Sequence, residues 1–385
     1  MSATVSAVGM VTALGLDWKT SCAASRAGIS RAARLDYFTF RTQDTGALVS
    51  AVGHSARLIT QGFEHYGRLV RLLAGAMRDL RHSSGEGNPI LSRAKYYLSL
   101  PDPARLFLSS ALIADLPTRE QYQRAEEEAR RLSASSQSEQ SKKLFLHALR
   151  LAGVSEIPEL AATSSVGHAG VGVVMDKALA DLSTGAADAV VVGGVDSLLD
   201  EDTLGWLLNT GRLKSPALAA GLMPGEAAAL LLLTRDGASG PITVTRVVRG
   251  EDGQSLSSGG APTGAALGRA IAEAVGTEAQ PAVLYSDHNG EQYRATEFGY
   301  VALRLQALRP WIMGVKTMFP AQSFGDTGAA SGAVALAVLT SRWSRPDSEE
   351  TLGAVTSSSD GPERAVMVAE LGRLNSYKGA SARAR

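Results

Sequence analysis

Apolar residues along this chain follow two rhythms that alternate from one end to the other. Compact apolar runs at Thr4–Val8, Lys95–Pro103, Ala228–Leu233, Ile242–Val248, Ala282–Ser286, Gly353–Ser357 and Val366–Leu371 read as buried strands. Between them lie stretches with helical spacing. One covers Gly67–Leu80 through Leu69, Leu72, Leu73, Met77 and Leu80, and others cover Lys142–Ala152, Leu204–Leu208, Gly264–Val275, Thr296–Leu308 and Gly328–Ser341. The opening strand passes through a Gly9–Gly15 turn into a helix with Asp17 as its N-cap. Strands alternating with helices imply mainly parallel pairing with helices on the sheet faces. Thr118–Leu146 is polar and reads as a solvated helix and a mobile loop, and SYKGASARAR at the C-terminus reads as a disordered basic tail, 375–385.

One segment stands out. Thr163–Asp196 reads as a tight turn, a small-residue helix, a Gly-Ala-Ala-Asp break and an all-apolar strand ending in Gly193-Gly194. Its opening, Ser165–Gly172, aligns with Ser323–Ala330: each copy is a Ser-x-Gly-x-x-Gly turn before an Ala/Val-rich helix. The echo divides the chain into similar halves, 1–238 and 239–374, with Gly237–Gly240 between them.

Composition narrows the picture. With 385 residues the chain can bury one duplicated core. Its 38 basic and 38 acidic residues balance, so net charge favours neither nucleic acid nor an anionic membrane. Neither a signal peptide nor an apolar run of the ~20 residues a spanning helix needs is visible, so a cytoplasmic protein is expected. The single cysteine, Cys22, excludes an internal disulfide and a cysteine-rich metal site, and its place in an early helix marks it as a buried small residue. Neither a Walker-type run nor a metal-ligand spacing is present, so no cofactor or metal is expected.

The motifs carry a family resemblance. GMVTALG, GGVDSLLD, GLMPGEAAALLLL, SDHNGE and GVKTMFPAQSFGDTGAASG occur in the order of the β-ketoacyl synthase motifs, and over residues 3–371 the chain resembles ketosynthases of the thiolase superfamily. That resemblance implies a thiolase-like α/β fold whose duplicated halves form an α-β-α-β-α five-layer sandwich. It further implies a homodimer, or a heterodimer with an active ketosynthase, and an acyl carrier protein or acyl thioester as partner.

The implied chemistry is altered. In the family a cysteine at a helix N-terminus accepts the acyl group. Counting back ungapped from Gly193 places His168 there, either as a packed residue or as a reactive imidazole. Ser164 and Ser165 are the rival nucleophiles, each equally readable as a turn serine. His288 matches the first catalytic histidine and Lys316 the family lysine. Gln322 stands where the second histidine is expected, able to donate to an oxyanion but not to carry a proton. The glycine-rich loop before the last strand has become Ser357-Ser358-Ser359-Asp360-Gly361-Pro362. These departures point to a non-condensing homologue that serves as a binding, accessory or partner subunit. The alternative is an acyltransferase or thioester hydrolase using His168 or Ser165 with His288 and Gln322. Cysteine-less relatives beside secretion systems leave a secretion-system partner open.

Overall fold

A computed structural model describes residues 2–372 except 43, 104, 106–136, 236–239 and 346–349. The expected loop within Thr118–Leu146, most of the divider and the basic tail therefore fall outside the described residues.

The strands are β1 (Ala3–Thr12), β2 (Ala33–Arg41), β3 (Leu48–Gly53), β4 (Lys95–Ser99), β5 (Leu160–Ser164) and β6 (Ala189–Ser197), then β7 (Glu226–Arg235), β8 (Ile242–Glu251), β9 (Val283–Ser286), β10 (Lys316–Met318), β11 (Leu352–Ser358) and β12 (Glu363–Leu371). The longer helices are α1 (Trp18–Arg26), α2 (His65–Ser84), α3 (137–151), α4 (Gly170–Thr184), α5 (Glu201–Asn209), α6 (Ala265–Val275), α7 (Gln292–Leu305) and α8 (Ser331–Trp343). Asp17 caps α1 by accepting the Thr20 N–H, as its position before the helix predicts. The β2–β3 hairpin, which the apolar pattern did not announce, forms a separate two-stranded sheet.

The remaining strands run β5-β4-β6-β7-β1 in the first half and β10-β9-β11-β12-β8 in the second. In each half the first strand pairs antiparallel with the last, and the last antiparallel with the fourth. Two parallel steps follow. The halves thus repeat one topology. Ala3–Val5 also pair with Ile242–Val244, which joins the two sheets edge to edge.

Alternation along the strands sends successive residues to opposite faces, and the core divides accordingly. Val190, Val192, Leu231 and Val244, Tyr285, Val355 turn inward onto α4 and α8, which lie between the sheets. Val191, Leu230 and Leu232 turn outward under α2 and α3. Leu284, Ala354 and Val366 turn outward under α6 and α7. The result is the α-β-α-β-α sandwich. A helix wedged between two sheets must present small residues where it meets them. Gly172 in α4 meets that need, because a Cβ there would lie 2.4 Å from that of Ala365.

The structure corrects the register of the internal echo. The 3₁₀ turns that open α4 and α8 begin at Gly167 and Gly328, so Gly167 corresponds to Gly328 rather than to Gly325. Gly194 lets the second turn sit against β6, where a Cβ would lie 2.4 Å from the Ala329 carbonyl oxygen.

Candidate functional site

The two central turns meet at the middle of the molecule. After β5 the chain reverses through Gly167, whose φ of +78° suits glycine, and the 3₁₀ turn Gly167–Ala169 delivers a buried His168 to the start of α4. Ahead of the equivalent turn in the second half stands Asp326. His168 Nε2 lies 2.7 Å from Asp326 Oδ1, and Arg294 Nη2 lies 3.1 Å from His168 Nδ1. A guanidinium can only donate, so Nδ1 accepts from Arg294 and Nε2 carries the proton shared with Asp326. Both nitrogens of the ring are engaged.

From this pair a charge ladder runs outward. Arg294, on α7, donates to Asp287 at 3.0 Å, to Asp360 at 3.1 Å and to the Ser358 carbonyl. Arg212 grips Asp360 through Nη1 and Nη2 at 2.7 and 3.1 Å, and Glu291 through Nε and Nη2 at 2.6 and 3.0 Å. Asn289 closes the circuit by donating to Glu291 at 2.8 Å and to Asp326 at 2.5 Å. On the other side Arg105 donates to Asp196 at 2.9 Å, and Asp196 accepts the Ala329 N–H at 2.8 Å.

The electrostatics follow from burial and pairing. Burial alone would raise the Asp326 carboxyl, yet His168 and Arg294 hold it well below the usual carboxylate range. Asp360 is likewise held well down, against its burial, by Arg212 and Arg294. Burial and the Arg294 charge lower the His168 pKa; Asp326 raises it by more, so the net direction is upward. Protonating Nδ1 would set donor against donor, so the ring takes a second proton only by releasing Arg294.

His168, Arg105 and Arg212 line a cavity of about 250 Å³, together with Trp206, Leu198, Leu222 and Leu256. Asp102, Asp196, Asp326 and Asp360 all line it. Arg212 also sits 4.9 Å from the Trp206 ring centroid.

The sequence-derived candidates are distributed over several places. His168 lines this cavity. His288 and Gln322 share a second one, of about 400 Å³, and Asn289 lines that cavity while bonding to Asp326, so the two spaces have a common wall. His288 Nδ1 accepts the Gly290 N–H at 3.0 Å, and burial pushes its pKa down. Lys316 is exposed at the start of the edge strand β10. Ser165 lines a third cavity beside Tyr66 and Leu144, whereas Ser164 is buried under α4 near Gly170. Cys22 is buried against the Ala337 carbonyl, and burial pushes its thiol up to about 12.

Sequence reasoning missed Asp326, Arg294, Asp360, Arg212 and Glu291. Asp326 was within reach, as a lone acid between glycines at the mouth of an Ala-rich helix. The others come from separate loops with no shared spacing, and only folding brings them together.

No family model matches the chain, and no curated protein matches it. Solved structures do. The chain is similar to the ishigamide ketosynthase/chain length factor, with a TM-score of 0.69 and 16% identity over 97% of this chain and 99% of that one. It is similar to one chain of a structure described as a type II polyketide synthase acyl-carrier protein in complex with its ketosynthase bound to the hexaketide, with a TM-score of 0.67 and 13% identity over 97% and 99%. A ketosynthase of the bacillaene synthase from Bacillus subtilis gives 0.67 and 11% over 97% and 72%. The chain thus has the thiolase-like fold of these ketosynthase structures.

Proposed function

We propose that this chain is a non-condensing ketosynthase-fold subunit that binds or assembles and forms no carbon–carbon bond. The observation that carries the reading is the double engagement of His168, the residue that the resemblance sets at the nucleophile position. An imidazole accepts an acyl group through a free lone pair. Here the lone pair on Nδ1 is held by Arg294, and the Nε2 proton is shared with Asp326.

The surroundings argue the same way. Condensation builds negative charge on an enolate oxygen, which a site stabilises with donors or cations. Asp326, held as a carboxylate, brings an anion to the centre instead. The one thiol of the chain, Cys22, is buried in α1 with its pKa pushed up to about 12. Partners follow from the similar structures, which include a ketosynthase/chain length factor and a ketosynthase with its acyl-carrier protein. A second copy, or an active ketosynthase, and an acyl carrier are the partners to try first. Among the described residues no helix is long and apolar enough to cross a membrane.

The test is incubation with acyl- and malonyl-carrier thioesters, alone and with a ketosynthase, read by intact mass and product analysis. The expected result is neither an acyl adduct nor product from this chain alone, with a stable complex once a partner is supplied. Turnover by the chain alone that disappears in His168→Ala would overturn the proposal in favour of the acyltransferase or hydrolase reading.

A further inference from the structure

The cavity lined by His288 and Gln322 differs in charge from the one behind its wall. Its lining includes His54, Lys214, Asn289 and Phe319, and contains no carboxylate, whereas the His168 cavity is lined by Asp102, Asp196, Asp326 and Asp360. Its one cation, Lys214, makes neither an ion pair nor a side-chain hydrogen bond to another described residue. Every arginine on the other side of the wall, by contrast, is matched by an acid.

The two imidazoles complete the picture. His288 Nδ1 accepts the Gly290 N–H, so the neutral ring carries its proton on Nε2, as a donor. Burial keeps that ring neutral, and burial pushes His54 down to about 4, so neither imidazole carries charge at neutral pH. His54 is 1% exposed and its Nδ1 has no hydrogen-bond partner. Phe319 supplies an apolar wall, its ring 5.4 Å from that of His288. A solvated ammonium, an imidazole N–H, an amide and an aromatic face around about 400 Å³ suit a small anion with an apolar body.

We propose that this cavity is a binding site for a small carboxylate, its charge met by Lys214 and its oxygens by His288 Nε2–H and the Gln322 amide. A carboxylate offers acceptors for these donors, and across the wall Asp196 and Asp360 are each neutralised by an arginine. This site is separate from the His168 cavity and does not depend on whether the chain condenses, assembles or hydrolyses.

The experiment is a titration with butyrate, against butyramide as its neutral counterpart, followed through the side-chain NMR signals of His54 and His288. Butyrate is expected to shift both signals saturably in the millimolar range, leaving those of exposed His82 unmoved. Butyramide is expected to bind about tenfold more weakly, since a hydrogen bond to a charged group is worth about one factor of ten more than a neutral one. Lys214→Met should weaken butyrate by a similar factor and leave butyramide unchanged; Lys214 is exposed, so the substitution does not threaten the fold. Equal affinity for butyrate and butyramide, no saturable shift at His288, or a Lys214→Met protein that binds butyrate as before would each overturn the proposal.

Discussion

The turn that opens α4 and the turn that opens α8 share a backbone and differ in what surrounds it. Val166 and Thr327, just before the two 3₁₀ turns, sit at φ −97°, ψ 14° and φ −104°, ψ 15°. Gly167 and Gly328 follow at +78° and +50°. In the second turn the helix-opening N–H groups meet acids: Gly328 donates to Asp326 and Ala329 to Asp196, each at 2.8 Å. In the first, Ala169 donates to the Ser359 hydroxyl at 3.1 Å, and the side chain at the tip is an imidazole. A helix N-terminus attracts negative charge. One of these two already holds two carboxylates, and the other only a serine hydroxyl. Duplication supplied the geometry twice, and residues outside the repeat set the charge at each copy.

The largest effect expected from this comparison is at Gly328. A Cβ there would lie 2.1 Å from Asp196 Oδ2 and would have to be carried at a left-handed φ. Backbone strain and the displaced carboxylate together predict that Gly328→Ala destabilises the fold by about 4 kcal/mol. Moving Asp196 also disturbs its bonds to Ala329 and Arg105. Urea denaturation measures the loss directly. A change below about 1 kcal/mol would show that the second turn tolerates an opening like that of the first, and the contrast would fail.

Next in size is the acid that the second turn contributes. Asp326→Asn leaves the shape but removes the buried carboxylate that accepts from His168, Asn289 and the Gly328 N–H, which predicts a loss of about 3 kcal/mol at neutral pH. The pH profile gives a second reading. Asp326 and Asp360 have folded pKa values below their unfolded ones. Their stabilisation is complete above the unfolded carboxylate value near ~4, and is lost as pH falls through it toward the folded values. His168 is shifted upward, so its contribution is complete below ~6.5 and fades as pH rises through the folded value. Wild-type stability should therefore peak on the mildly acidic side of neutrality, and Asp326→Asn should flatten both limbs. An unchanged profile in the variant would assign the pH dependence to other groups.

How legible these features were depends on what carried them. The fold was written in the chain locally: β6, AVVVGGVDS, is buried at every residue, and helix-forming stretches separate it from its neighbours. Motif order then indicated the duplicated sandwich, which the identical strand orders of the two halves display. The site was not written locally. Arg294 belongs to the helix that follows His288, but the apolar pattern began that helix at Thr296. The helix in fact starts at Gln292, after a turn in which Asn289 accepts the Glu291 N–H. That earlier start brings Arg294 onto the helix and, through it, to His168. Gln322 looked like the second histidine's replacement by spacing from Lys316. The chain instead places Gln322 in a short helix, Ala321–Phe324, and the next acid, Asp326, against His168. Spacing predicts which residues share an element; it does not predict which of two neighbouring side chains crosses to another half.

The smallest expected effect is the most direct check on the asymmetry. Gly167 has a left-handed φ like Gly328, yet an added Cβ would meet nothing nearer than Ser359 Oγ at 3.7 Å, an ordinary contact. Gly167→Ala should therefore cost only the backbone term, about 1 kcal/mol. It should also leave the His168–Asp326 pair intact, so the variant keeps the wild-type pH profile at slightly lower stability. The same substitution at equivalent turns thus separates what the repeat imposes from what the surroundings impose. The shared left-handed glycine accounts for the loss common to both variants. The excess at Gly328 measures how tightly Asp196 and Asp326 close the second helix. Equal losses at the two positions would mean that the backbone alone governs both turns, and that the carboxylates at the second are incidental to its stability.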